Sequence, residues 1–157
     1  MKETLRDNLL NIYNRISTTI VGIDPDAKRS GVACIRNGKI EFLENMAFFD
    51  LYDYLSNVEH IKLVVIEAGW LNKGHWSISN RNEGQKHIQL KIAHDTGANH
   101  ETGRKIVEMC EFLGLPVELV KPTKSKVDHQ YFKKITGWTK RTNSETRDAA
   151  MLVFGRK

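Results

Sequence analysis

Two acidic positions in this chain lie where an acid is expensive unless it has a partner, and a third stands on a segment that could meet them. Asp24 ends the apolar run Thr19-Ile20-Val21-Gly22-Ile23-Asp24-Pro25. Glu67 ends a second one, Ile-Lys-Leu-Val-Val-Ile over 61–66, and is followed by Ala68-Gly69. Asp148 stands on a C-terminal segment, three residues after Glu145 and so on the same face if that segment is helical. A carboxylate at the end of a covered strand loses hydration and needs a cation, a metal or a proton to offset the loss. Hard oxygen donors of this kind suit Mg²⁺ or Mn²⁺. Two such ions about 4 Å apart would activate a water and stabilise the leaving oxygen in phosphodiester hydrolysis.

Each acid also has a plainer reading. Asp24 before Pro25 could cap a turn. Glu67 could be a solvated loop acid, and Asp148 an ordinary helix-surface residue beside Arg147. The chemistry therefore depends on whether the intervening elements bring the acids to one place.

Those elements follow from the apolar pattern. Thr19–Asp24 reads as a strand and Gly31–Arg36 as a second, joined by Asn37-Gly38 to a third over Lys39–Met46. Phe49–Asn57 has Leu51, Tyr54 and Leu55 spaced as a short helix. The unalternating run 61–66 suits a strand covered on both faces. Residues 70–98 read as an exposed basic and aromatic loop with Trp70, Lys73, Trp76, Arg81 and Lys86; His87–Ala93 fits a strand or the start of a helix. A helix begins at Asn99 or His100, with Ile106, Met109, Cys110 and Leu113 on one face and Gly114 past its end. Gly103 inside it costs about 1 kcal/mol in propensity, which a close helix-on-sheet contact would explain. Leu115–Val120 is a further strand, Lys124–Ile135 a helix, and Asn143 or Ser144 caps a last helix from Glu145 to Phe154. Ahead of all this, residues 4–16 place Leu5, Leu9, Ile12 and Ile16 at helical spacing. The sum is an α/β fold: a mixed sheet flanked by helices, its first three strands antiparallel.

Composition narrows the function. With 157 residues and 40% hydrophobic content the chain is one globular domain with a real core. No apolar run approaches the roughly 18 residues of a membrane span. The N-terminus carries no apolar targeting segment. Cys34 and Cys110 are too far apart in sequence for a zinc knuckle or a disulfide framework, which fits a reduced, cytoplasmic setting. No Gly-x-Ser-x-Gly elbow is present, and the six histidines are scattered, with His94 and His100 read as surface residues. The net charge of +5 hints at an anionic partner. Lys121, Lys124, Lys126, Lys133, Lys134, Lys140 and Arg141 crowd one C-terminal segment, which is either a solvated basic face or a nucleic-acid surface.

Ile23-Asp24-Pro25 with Ser30-Gly31, then Val65-Ile66-Glu67, then Arg147-Asp148-Ala149-Ala150-Met151-Leu152, in this order, resembles the RuvC-type Holliday junction resolvases of the ribonuclease H-like superfamily. The resemblance covers residues 19–155 and implies a five-stranded ribonuclease H-like domain over 19–157, preceded by an amphipathic extension over 1–18. A Gly-Ile-Asp start also opens actin-like ATPases, but Asp26-Ala27-Lys28 does not supply their Gly-Thr phosphate loop, so no nucleotide cofactor is expected.

By this resemblance Asp24 would bridge two Mg²⁺ or Mn²⁺ ions, Glu67 would hold one and Asp148 the other, with Glu145 where the family has a further acid or a histidine. Trp70 falls where family members carry an aromatic that wedges into the junction, although it also reads as a half-buried loop tryptophan. Pro122 with Lys124 and Lys126 is similar to the family's phosphate-contacting segment, and Lys73 joins the expected DNA surface. The implied activity is cleavage of four-way DNA junctions by a homodimer; compact size and the absence of a visible targeting segment suit a bacterial or phage protein. Cleavage of flaps, forks or RNA-containing duplexes, or a catalytically silent nucleic-acid-binding protein of the same fold, are the alternatives. Three departures from the family stand out. The stretch from Glu67 to Gly103 is long and suggests an added loop or arm. The stretch from Gly137 to Asp148 is short and lacks a helix, which puts the placement of Asp148 in question. Asp26 replaces a glycine and would add negative charge near the proposed metals.

Overall fold

The computed structural model describes residues 18–72 and 83–156. The expected helix over 4–16 lies outside them, as do Lys73, Trp76 and Arg81. A single five-stranded sheet forms the centre, in the order β3-β2-β1-β4-β5. β1 (Thr19–Asp24), β2 (Ser30–Arg36) and β3 (Lys39–Met46) form an antiparallel meander. β4 (Ile61–Glu67) and β5 (Val117–Val120) then run parallel to β1. The turn between β2 and β3 has both Asn37 and Gly38 at positive φ, as an Asn-Gly hairpin requires.

β1 is buried along almost its whole length because helices cover both faces of the sheet. On one face Val21, Ile23, Val32, Val64 and Ile66 pack under α1 (Phe48–Asn57) and α2 (Glu83–Phe112). On the other, Ile20, Ala33, Ile35 and Val65 pack under α3 (His129–Thr136) and α4 (Ser144–Val153). Gly22 shares the second face, and a Cβ there would run into the carbonyl oxygen of Ala149. Gly31 stands in the same relation to the carbonyl of Glu145. Two missing side chains on the sheet, with Ala149 and Ala150 on the helix, let α4 lie directly on β1 and β2. Asn143 caps α4, accepting from Thr146 N at 2.9 Å, while Thr146 Oγ1 accepts from Asn143 N in return.

Three expectations are corrected. The helix expected from Asn99 starts at Glu83 and runs 30 residues, about 45 Å, so most of the expected loop is helical. Its N-terminal half carries no apolar stripe because it does not lie on the core: Ile88, Leu90 and Ile92 are exposed, and burial begins at Gly103. The helix expected from Lys124 starts only at His129, because Asp128 caps it, its Oδ1 accepting from Tyr131 N at 2.8 Å. Lys124 and Lys126 therefore sit on a connecting segment. Gly103 does make a close contact, but against Trp70 and Pro25 at the end of the sheet rather than against its strands. Among the described residues no helix is long and apolar enough to cross a membrane.

Candidate active site

Strand periodicity puts Asp24 and Glu67 side by side. β1 and β4 are parallel neighbours with Ile23 opposite Ile66, so their next residues are adjacent. Asp24 follows Ile20 and Gly22 on one face, and Glu67 follows Leu63 and Val65 on the same face. That is the face α4 covers. The close seating of α4 over Gly22 and Gly31 carries Glu145 and Asp148 to the same end of the sheet. The short connection after Gly137 thus leaves Asp148 at the same end of the sheet as Asp24 and Glu67.

The two helix acids flank Asp24 on opposite sides. Glu145 reaches toward β3, where the Asn45 amide donates to its Oε2 at 2.9 Å. Asp148 reaches toward the segment after β5, where Lys126 Nζ donates to its Oδ2 at 2.6 Å. The same ammonium lies 3.7 Å from Glu67 Oε1. The side chains of Glu67 and Asp148 are only 14% and 13% exposed, so this ammonium is a large part of what compensates their lost hydration.

The electrostatics of the cluster fall on Asp24. Burial, then the negative charge of Glu67, then those of Asp148 and Glu145, push its carboxyl up to about 7; Lys126 opposes the shift and does not cancel it. Glu67 is raised as well, chiefly by burial, with Lys126 pulling it back. Burial alone would lower Lys126, but its hydrogen bond to Asp148 and the surrounding carboxylates carry it above the ordinary lysine range. The site thus has more negative charge than its own cation neutralises.

A cleft of about 200 Å³ opens beside Asp24 and Glu67, walled by Pro25, Gly69, Trp70, Asn99, His100 and Pro122. A second hollow of about 210 Å³ holds Lys121, Lys126 and Asp148, and Glu67 lines both. Trp70 is half-buried, edge-on to His100 with ring centroids 6.4 Å apart and with the Arg104 guanidinium 5.5 Å above its ring. His100 is thus a cleft residue, correcting its reading as surface; burial, then Arg104, lowers its pKa. Asn99 was also missed: its Oδ1 accepts from Ala27 N at 2.9 Å and ties the β1–β2 turn to α2. Nothing in the sequence marks either residue, since both contacts come from the path of α2. Asp26 Oδ1 accepts from Lys28 N and Arg29 N, so its carboxylate organises the β1–β2 turn.

The basic residues divide. Lys126 is inside the cluster. Lys121 lines the second hollow beside it, Lys124, Lys133, Lys134 and Arg141 are exposed, and Lys140 lies 5.6 Å above the Trp138 ring. Lys73 lies outside the described residues.

The donor chemistry, carboxylate oxygens from two strand ends and a helix, fits a hard divalent ion. Among the described residues, however, no three His, Cys, Asp or Glu side chains are drawn together closely enough to grip an ion as they stand. Lys126 holds Glu67 and Asp148 instead.

The strand order, the directions and the α4 packing make this a ribonuclease H-like fold of the RuvC type. The chain is similar to Thermus thermophilus RuvC in complex with a Holliday junction substrate: TM-score 0.55, 14% identity, 87% of this chain and 90% of that one. It is similar to a second structure of Thermus thermophilus RuvC with TM-score 0.50, 14% identity, 87% of this chain and 92% of that one. At this identity the likeness is one of fold. No protein-family model matches the chain, and no curated protein matches its sequence.

Proposed function

We propose that this protein is a metal-dependent, structure-selective DNA endonuclease that cleaves four-way junctions. One observation carries the reading: Asp24, Glu67 and Asp148 reach one end of the sheet from separate elements, where burial first and the neighbouring carboxylates second push Asp24 up to about 7. Burying like charges together costs a fold stability, and acids perturbed in this way gather at functional sites.

In this reading Asp24, Glu67 and Asp148, with Glu145 beside them, hold Mg²⁺ or Mn²⁺. The bound ions would supply an activated water and neutralise the leaving oxygen. Trp70 lines the cleft, where an unpaired base at a branch could stack. Lys121, Lys124, Lys133, Lys134, Lys140 and Arg141 take backbone phosphates, which need positive charge but no particular sequence. Two copies would place one active site on each of two strands, giving a dimer measurable by light scattering.

The test is cleavage of a labelled panel: four-way junction, fork, flap, RNA/DNA hybrid and linear duplex, with Mg²⁺. Wild type is expected to cut the junction preferentially. Asp24→Asn is expected to bind it and not cut. Unimpaired cutting by Asp24→Asn would sink the mechanism, and preference for another substrate would redirect it.

A second reading rests on Lys126. An ammonium already placed between two of the acids suits a protein that binds DNA without cutting it. Failure of wild type to bind Mn²⁺ would favour that reading.

A further inference from the structure

We propose that Lys126 is the resident counter-ion of the acid cluster, which a divalent ion must displace, so that this side chain sets the metal affinity of the site. The inference rests on the nuclease reading above and adds a role toward the metal that the basic character of the segment does not imply. Lys126 Nζ is 2.6 Å from Asp148 Oδ2 and 3.7 Å from Glu67 Oε1, two of the three acids proposed to hold the ions. An ion and an ammonium cannot share those oxygens without repelling each other at a few ångströms.

The way Lys126 is mounted suits displacement. Its backbone belongs to the connection between β5 and α3, which is fixed immediately after Lys126. Arg147 Nε donates to Val127 O at 3.0 Å, and Asp128 caps α3. The side chain, in contrast, is 51% exposed. The backbone can therefore stay in place while the ammonium swings outward on its four-carbon stem. It would then remain close to the acids, where the phosphate of a bound strand would lie. In the metal-free protein the ammonium limits repulsion among Asp24, Glu67 and Asp148. Once ions neutralise the acids, it is free to meet the phosphate.

The test compares Mn²⁺ binding by calorimetry, after EDTA treatment, to full-length wild type, Lys126→Met, Lys126→Gln, Lys126→Arg and Asp24→Asn. Thermal unfolding is measured for each in EDTA and in saturating Mn²⁺. Removing the competing cation should tighten Mn²⁺ binding about tenfold in both neutral variants, the scale of one lost charged hydrogen bond. It should also lower their melting temperature in EDTA and enlarge the rise produced by Mn²⁺. Lys126→Arg should stay near wild type. Mn²⁺ binding that depends on Asp24 but is unchanged or weaker in both neutral variants overturns the role of Lys126 and leaves the nuclease reading intact. Mn²⁺ binding absent from wild type, or unaffected by Asp24→Asn, overturns the metal site itself and this inference with it.

Discussion

The Asn45 side chain donates to Glu145 Oε2 at 2.9 Å and accepts from Asn143 Nδ2 at 2.7 Å, joining the end of β3 to the start of α4 across about a hundred residues. Its backbone oxygen also accepts both Nε and Nη2 of Arg29. Asn45 thus sets which way Glu145 faces.

Asn45→Asp tests this relationship. The substitution keeps the acceptor for Asn143 but turns a negative charge toward Glu145. It should cost about 1–3 kcal/mol at pH 8, more than Asn45→Ala, in chemical denaturation. Equal stability of Asn45→Asp and wild type would mean that Glu145 does not face β3.

Asp24 predicts a pH dependence of metal-free stability. Its carboxyl titrates near 3.8 when unfolded and near 7 when folded, so the folded state holds an extra proton between those values. Its contribution is fully present below about 4 and is lost as pH rises through about 7. Asp24→Asn lacks this loss. In EDTA the variant should gain on wild type from pH 4 upward and be more stable by on the order of 2–4 kcal/mol at pH 8. A stability difference that stays flat from pH 4 to 8 would contradict the proposed crowding of charge.

Two glycines should behave in opposite ways. A Cβ at Gly22 collides with the Ala149 carbonyl, so Gly22→Ala must push α4 off the sheet and should cost more than 2 kcal/mol, roughly the scale of overpacking. Gly97, on the exposed part of α2, has open space around it, and Gly97→Ala should stabilise by about 0.5–1 kcal/mol. Melting temperatures of the pair give the answer directly. A harmless Gly22→Ala would refute the close seating of α4.

Lys133 and Lys134 lie exposed in the last turn of α3. If they contact DNA phosphates, Lys133→Ala with Lys134→Ala weakens junction binding regardless of sequence. The salt slope of log affinity should fall by roughly one for each lysine. Fluorescence anisotropy across a salt series measures both. An unchanged slope would remove this helix from the DNA surface.

The sequence by itself determined the local layout. The Asn37-Gly38 hairpin, the covered strand before Glu67 and the capped final helix were all legible, because turn chemistry and apolar runs act over a few residues. So was the candidate site, since Asp24 and Glu67 end apolar strands and Glu145 and Asp148 share a helix face. The extent of α2 was not legible, because a helix that leaves the core loses the apolar stripe that would reveal it. The true start of α3 was hidden in a basic stretch that ends only at the Asp128 cap. Only the tertiary structure decided what surrounds the acids. Strand parity and the close approach of α4 over Gly22 and Gly31 bring the four acids to one end of the sheet. Packing of α2 puts His100 and Asn99 in the cleft. The fold of the segment after β5 sets Lys126 between Glu67 and Asp148, a contact over twenty-two residues that no local pattern encodes.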